Sequence, residues 1–145
     1  MLGLLNISEA MSIALHTCVC LADGGKSFSS ARTVSKKLGF SPHHSAKVVQ
    51  QLAHAGILET ERGPSGGAKL ARPADTITLL EIYVAAGGTP EYAGCLLKHE
   101  FCDGKSCALG RLMTKENKRL IALLKRTTLA SVVHSMKKNR RAKKV

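Results

Sequence analysis

Aromatic residues are scarce in this chain, which has no tryptophan, two tyrosines and three phenylalanines. Its core must therefore come from Leu, Ile, Val and Ala, which favours helices. The scarcity also counts against a protein that holds single strands by stacking bases on aromatic rings. Acidic residues are few as well: ten Asp and Glu stand against 22 Lys and Arg, and residues 24–58 contain none. A net charge of +12 points to nucleic acid or an anionic membrane surface as partner. No run of 18 apolar residues exists, so no membrane span is expected. Residues 1–5 are too short for a signal-peptide core and lack a basic start, so a cytoplasmic location is expected. There, five cysteines would be reduced thiols or metal ligands rather than disulfides. A phosphate loop, paired carboxylates and a Cys-His-Asn order are all missing, which leaves an enzyme reading resting on reactive cysteine alone.

What is present reads from the N-terminus as a helix-turn-helix. Asn6 with Glu9 three residues on is a capping-box start. Ile7, Ala10, Met11, Ala14, Leu15, Cys18, Val19 and Ala22 then form an apolar stripe that stops at Asp23-Gly24-Gly25. Cys18 lies in the stripe and Cys20 off it; both are read as packing residues. A second helix is expected from about Ser30 to Gly39. Ser41-Pro42 opens a third that ends at Gly56, and the pair joined by a Gly turn is the helix-turn-helix pattern. The third helix's outer face carries His43, Lys47, Gln50 and His54, with His44, Ser45 and Gln51 along its side. These hydrogen-bonding groups, free of acids, suit phosphates and base edges.

Ile57-Leu58-Glu59-Thr60-Glu61 and Ala68-Lys69-Leu70-Ala71 are two short strands of a hairpin, looped by Gly63-Pro64-Ser65-Gly66-Gly67. A hairpin after a helix-turn-helix is a wing. The loop's small residues would let its backbone N–H groups meet phosphate oxygens, with Arg62 reaching a groove. Thr78-Leu79-Leu80-Glu81 is a second capping box, opening a short helix that stops at Gly87-Gly88. A loop with Cys95, Cys102 and Cys107 follows. From Ala108, the spacing of Leu109, Met113, Leu120, Leu123 and Thr127, widened by Leu112 and Leu124, predicts an amphipathic dimerisation helix. Half of the net charge then sits in the six cations of residues 137–144.

The expected fold is thus mainly α with a small β-hairpin wing: a winged helix-turn-helix domain plus a long C-terminal dimerisation helix. Residues 1–86 would be the DNA-binding domain, 87–107 the cysteine sensor loop, 108–136 the dimerisation region and 137–145 a disordered basic tail.

The chain resembles the Rrf-type bacterial transcription regulators, the family of the iron–sulfur regulator IscR and the nitric-oxide-responsive repressor NsrR. The resemblance runs to about Met136. It rests on Ala55-Gly56-Ile57-Leu58, on residues 62–72 (Arg62-Gly63-Pro64-Ser65-Gly66-Gly67-Ala68-Lys69-Leu70-Ala71-Arg72) and on Ile77-Thr78-Leu79-Leu80-Glu81-Ile82. The three-cysteine loop and Thr128-Leu129-Ala130 support it. It implies a homodimeric repressor on a palindromic operator. By family position Ser41, His43, His44 and Lys47 begin the recognition helix, while Arg62, Ser65 and Gly66 form the wing.

The resemblance also implies that Cys95, Cys102 and Cys107 hold an iron–sulfur cluster, 2Fe–2S or 4Fe–4S, in a Cys-x6-Cys-x4-Cys spacing. A fourth ligand is open among Glu9, Ser12, His99, Glu100 and Asp103, because the histidine some members place three residues past the last cysteine is Gly110 here. Zinc held by the three cysteines and His99, or a direct thiol switch without a metal, are the competing readings. The rival of another class is a nonspecific RNA- or ribosome-associated basic protein.

Overall fold

The computed structural model describes residues 7–25, 29–64, 66–90 and 107–142. In chain order its elements are α1 (Glu9–Gly24), α2 (Ala31–Leu38), α3 (Pro42–His54), β1 (Leu58–Glu61), β2 (Gly67–Leu70), a 3₁₀ turn (Ala74–Thr76), α4 (Leu79–Ala85), α5 (Ala108–Arg126) and α6 (Leu129–Ala142).

Helix α1 runs through the middle of the core. Ser8, rather than Asn6, caps it: the Ser8 hydroxyl accepts the Met11 N–H at 3.2 Å. Asn6 lies outside the described residues, and Glu9 is turned toward α3. Met11, Ile13, Ala14, Cys18 and Leu21 are buried and meet Leu52, Ile57, Ile77, Ile82 and Leu129 from five other parts of the chain. Burying a side chain of this size contributes about 1.5–3 kcal/mol, so aliphatic residues alone build the centre, as the lack of aromatics requires. Cys18 is fully buried and desolvation pushes its thiol up to about 12, so it stays protonated and serves only to fill space. Cys20 is half-buried against the same core.

Helices α2 and α3 meet at a tight turn. Gly39 takes the left-handed conformation (φ 73°) that ends α2, and the Phe40 N–H donates to the Ser35 carbonyl at 3.0 Å. Ser41 and Pro42 then start α3, with Pro at a position whose N–H has no helical partner. β1 and β2 pair antiparallel, with Leu58 opposite Leu70 and Glu61 opposite Gly67. Ser29 adds a one-residue rung on the other edge of β2 that the sequence pattern does not reveal: Ser29 and Ala68 exchange both backbone hydrogen bonds at 2.9 Å.

A second short ladder joins the C-terminal half to the winged domain. The Leu79 N–H donates to the Thr127 carbonyl (2.9 Å) and the Leu129 N–H to the Ile77 carbonyl (2.8 Å). This pairing holds Thr127 and Thr128 extended, so the helix expected from Ala108 ends there and a second helix, α6, follows it. Residues 137–142 likewise depart from the expected disordered tail, because they are the last turns of α6. Lys137 and Arg140 pin that end to Asp23 of α1, at 3.1 and 3.2 Å.

Candidate DNA interface and cysteine site

Helix α3 presents one polar face along its length. Ser41, His43, Lys47, Gln50 and His54 are exposed, and the Ser41 hydroxyl makes no capping bond within its own helix. His44 is half-buried, with Nδ1 3.3 Å from the Glu9 carboxylate, which ties the start of α3 to the start of α1. The structure thereby brings together a candidate DNA contact and a candidate cluster ligand. Ser45 does not belong to the outer side. It is buried beneath the helix, packed toward the core.

The wing stands beside this helix, and between them lies a groove of about 630 Å³ lined by Gln50, His54, Thr60, Glu61, Arg62 and Gly67. Arg62 is exposed where the wing's loop leaves β1. The glycines, however, answer mainly to the hairpin's own backbone. A Cβ on Gly66 would overlap the Glu61 carbonyl, and one on Gly67 would overlap the Ser29 carbonyl. The Gly66 N–H donates to the Gly63 carbonyl at 3.1 Å, and the Ala68 N–H goes to Ser29. The expectation that the loop's N–H groups are free for phosphates is therefore corrected for Gly66. Gly63 alone of the three has open space around it, and its φ of 113° is one that L side chains rarely adopt. Ser65 lies outside the described residues.

Arg72 fixes the exit of the wing. Its guanidinium donates to the Thr76 carbonyl and to the Glu81 carboxylate. Glu81 in turn accepts the Thr78 N–H at 2.8 Å, and its own N–H reaches the Thr78 hydroxyl at 3.2 Å, completing the expected capping box. The Thr78 N–H, opposed by burial and then aided by the Thr78 hydroxyl and the Arg72 guanidinium, holds the Glu81 carboxyl below the usual carboxylate range. Sequence reading assigned Arg72 no role, because a nine-residue separation belongs to no helix or strand period. Only the turn at residues 74–76 brings Arg72 back to Glu81.

Cys107 caps α5. Its half-buried Sγ accepts the Gly110 N–H at 3.2 Å, the kind of hydrogen bond that metal-bound sulfurs take in iron–sulfur proteins. A sulfur so placed fits a thiolate ligand. Cys95, Cys102, His99, Glu100 and Asp103 lie outside the described residues. Of the other ligand candidates, Glu9 is engaged with His44, and Ser12 is half-buried one turn further along α1. Among the described residues no group of three His, Cys, Asp or Glu side chains is assembled to hold a metal ion. Among them, too, no helix is long and apolar enough to cross a membrane.

Comparison with known proteins matches this geometry. The Rrf2 family profile, described as an iron-dependent transcriptional regulator, covers residues 7–135. Protein aau3 of Rhizobium meliloti (strain 1021) is 27% identical over 131 residues, 89% of this chain and 85% of that protein. Among solved structures, CymR (YrzC), the global cysteine regulator of B. subtilis, superposes with a TM-score of 0.76 at 24% identity, over 91% of this chain and 98% of its own. T. potens IscR does so with a TM-score of 0.69 at 23% identity, over 91% and 88%. These two likenesses establish the winged-helix fold, and the family match extends beyond it. With the helix-turn-helix, the wing, α5 and the first half of α6 inside the matched span, the chain belongs to the Rrf2 family: it is a DNA-binding transcription regulator and not an enzyme.

Proposed function

We propose that this chain works in the cytoplasm as a homodimeric repressor on a palindromic operator. Ser41, His43, His44 and Lys47 would enter the major groove, and Arg62, Ser65 and Gly66 would sit at the neighbouring minor groove. The observation that carries this reading is the shared orientation of α3's polar face and Arg62 across one groove. Half-sites read by such dimers lie about 34 Å apart along the duplex. Dimerisation through α5 is supported by its exposed leucines: Leu109, Leu112 and Leu123 are 59%, 49% and 44% exposed, with no partner segment among the described residues covering them.

Cys95, Cys102 and Cys107 would hold an iron–sulfur cluster. When bound, such a cluster supplies a redox- and ligand-sensitive centre with thiolate ligands. Cys107 contributes a sulfur that already accepts a hydrogen bond at the head of α5. The other end of α5 is tied to the start of α4 by the ladder at Thr127 and Leu129. A change at Cys107 would therefore reach the winged domain through a helix anchored at both ends. Coupling of this kind is typically worth about 1–3 kcal/mol, roughly 5–150-fold in operator affinity.

The test is anaerobic purification followed by iron and sulfide analysis and visible absorption, with operator affinity measured beside that of Cys102→Ala. Iron with matching sulfide, lost together with the affinity difference in the variant, is the expected result. A colourless, iron-free anaerobic protein would sink the cluster. If its affinity still responded to a thiol oxidant, the direct thiol switch would take its place.

A further inference from the structure

We propose that Glu61 is a specificity-determining residue of the DNA interface. Its carboxylate penalises every contact with phosphate or with a base acceptor, and the penalty is relieved where it meets the exocyclic amine of cytosine. The proposal rests on the DNA-binding reading above. Residues 24–58 hold no acid, so the whole helix-turn-helix is free of negative charge. Glu59 and Glu61 then follow two residues apart on β1. A carboxylate set beside DNA lowers affinity, because like charges brought together are unfavourable.

The two acids have different surroundings. Glu59 stands opposite Lys69 across the hairpin and pairs with it at 3.3 Å. Both line the groove of about 500 Å³ that also takes in Ala22 and Gly25 at the end of α1. The charge of Glu59 is therefore met within the protein. Glu61 stands opposite Gly67, which offers it no side chain, and it is exposed. Among the described residues it belongs to no ion pair. It lines the other groove, of about 630 Å³, between α3 and the hairpin, where Arg62 is proposed to meet DNA.

The polar groups of this groove differ in what they tolerate. Gln50, His54 and Thr60 can each donate as well as accept, and Arg62 only donates. An ionised carboxylate only accepts, so Glu61 is the one group among them that cannot adapt to a second acceptor. With α3 as one wall, the base edges offered to the groove are those of the major groove. There guanine shows the acceptors N7 and O6, and thymine shows O4 beside its methyl group. Adenine sets its N6 amine next to the acceptor N7. Cytosine presents its N4 amine with no acceptor of its own beside it, and carboxylates pair with that amine. Discrimination of this kind works by making the wrong partners worse rather than the right one better.

The experiment compares the full-length wild type with Glu61→Gln and with Glu59→Gln, which removes the same charge from the Lys69 side of the hairpin. Affinity is measured at one salt concentration on the duplex that the wild type selects from a random library and on a scrambled duplex of the same composition. Each protein then repeats the selection. Glu61→Gln should tighten binding to the scrambled duplex about fivefold or more and to the selected duplex by less than about twofold, so that the ratio between them falls. Its selected pool should lose a cytosine that the wild type's pool shows in each half-site. Glu59→Gln should keep the wild-type ratio and pool. An equal gain or a loss on both duplexes, an unchanged ratio, a pool that keeps its cytosine, or the same shift in Glu59→Gln would overturn the role of Glu61 alone. A wild type with no preference among duplexes would instead remove the reading on which the proposal rests.

Discussion

The two cationic surfaces of this chain differ in what surrounds the charge. On α3 and the wing, Lys47 and Arg62 stand among His43, Gln50, His54 and Thr60, groups that can donate or accept hydrogen bonds in a defined direction. At the end of α6 the charges are more closely spaced in sequence, and among the described residues Lys137 and Arg140 meet Asp23, which anchors the helix. Phosphate contacts position a protein on DNA and base contacts specify the site. The hydrogen-bonding groups of the first surface suit base contacts, whereas the described cations of the second hold α6 to α1. Net charge alone, which is the louder signal in the sequence, points to the second surface, because six of its cations lie in residues 137–144.

The largest expected effect comes from separating the two copies of the first surface. Leu112→Glu/Leu123→Glu places charge on the exposed face of α5, and losing the linkage of two half-sites should lower operator affinity by more than about 100-fold. Sedimentation should show a monomer; a stable dimer with full affinity would move the interface elsewhere. Arg62→Ala acts on the reading surface only. It should cost about 1–3 kcal/mol on the operator and far less on a scrambled duplex, measured by competition binding.

Gly67→Ala separates two explanations of the wing's glycines. Its Cβ would meet the Ser29 carbonyl, so thermal melting should show a loss of about 2 kcal/mol from backbone strain and a broken rung. An unchanged melting temperature with weakened DNA binding would mean that the glycine serves only approach to the duplex.

Arg72→Ala should have the smallest effect, about 1 kcal/mol, because the Arg72–Glu81 pair is partly exposed. It should also carry a pH signature. Glu81 is held below its ordinary value, so its contribution is fully present above the usual carboxylate range and is lost as pH falls through the lower folded value. The wild-type advantage over Arg72→Ala should therefore shrink below about pH 4, in acid titrations followed by circular dichroism.

Local signals made the helix-turn-helix, the hairpin and the Thr78 capping box legible before any coordinates, because each is set by neighbours in sequence: Gly39, Ser41-Pro42, Gly56 and Glu81 act over one turn. The features that escaped are pairings between distant residues. The Ser29–Ala68 rung, the Ile77–Leu129 ladder and the Asp23 anchor join segments with no periodic relation, and two of them changed the reading. The ladder ends α5 at Thr127 and starts a separate helix beyond it, and the anchor turned most of an expected tail into helix. The wing glycines show the same limit in reverse. Their smallness was plain in the sequence, but the backbone that demands it at Gly66 and Gly67 is the protein's own. In the cysteine site, Cys107 showed only as the last of three spaced thiols, and the α5 cap it makes is visible only in the fold.

The claim at the centre of this account is that α3 and the wing read the DNA sequence. Its most direct test is the ratio of operator to scrambled-duplex affinity for the double variant Lys47→Ala/Arg62→Ala, at one salt concentration, beside the wild type. The account predicts that the ratio falls at least tenfold while affinity for the scrambled duplex changes little. A variant that keeps the wild-type ratio would contradict it.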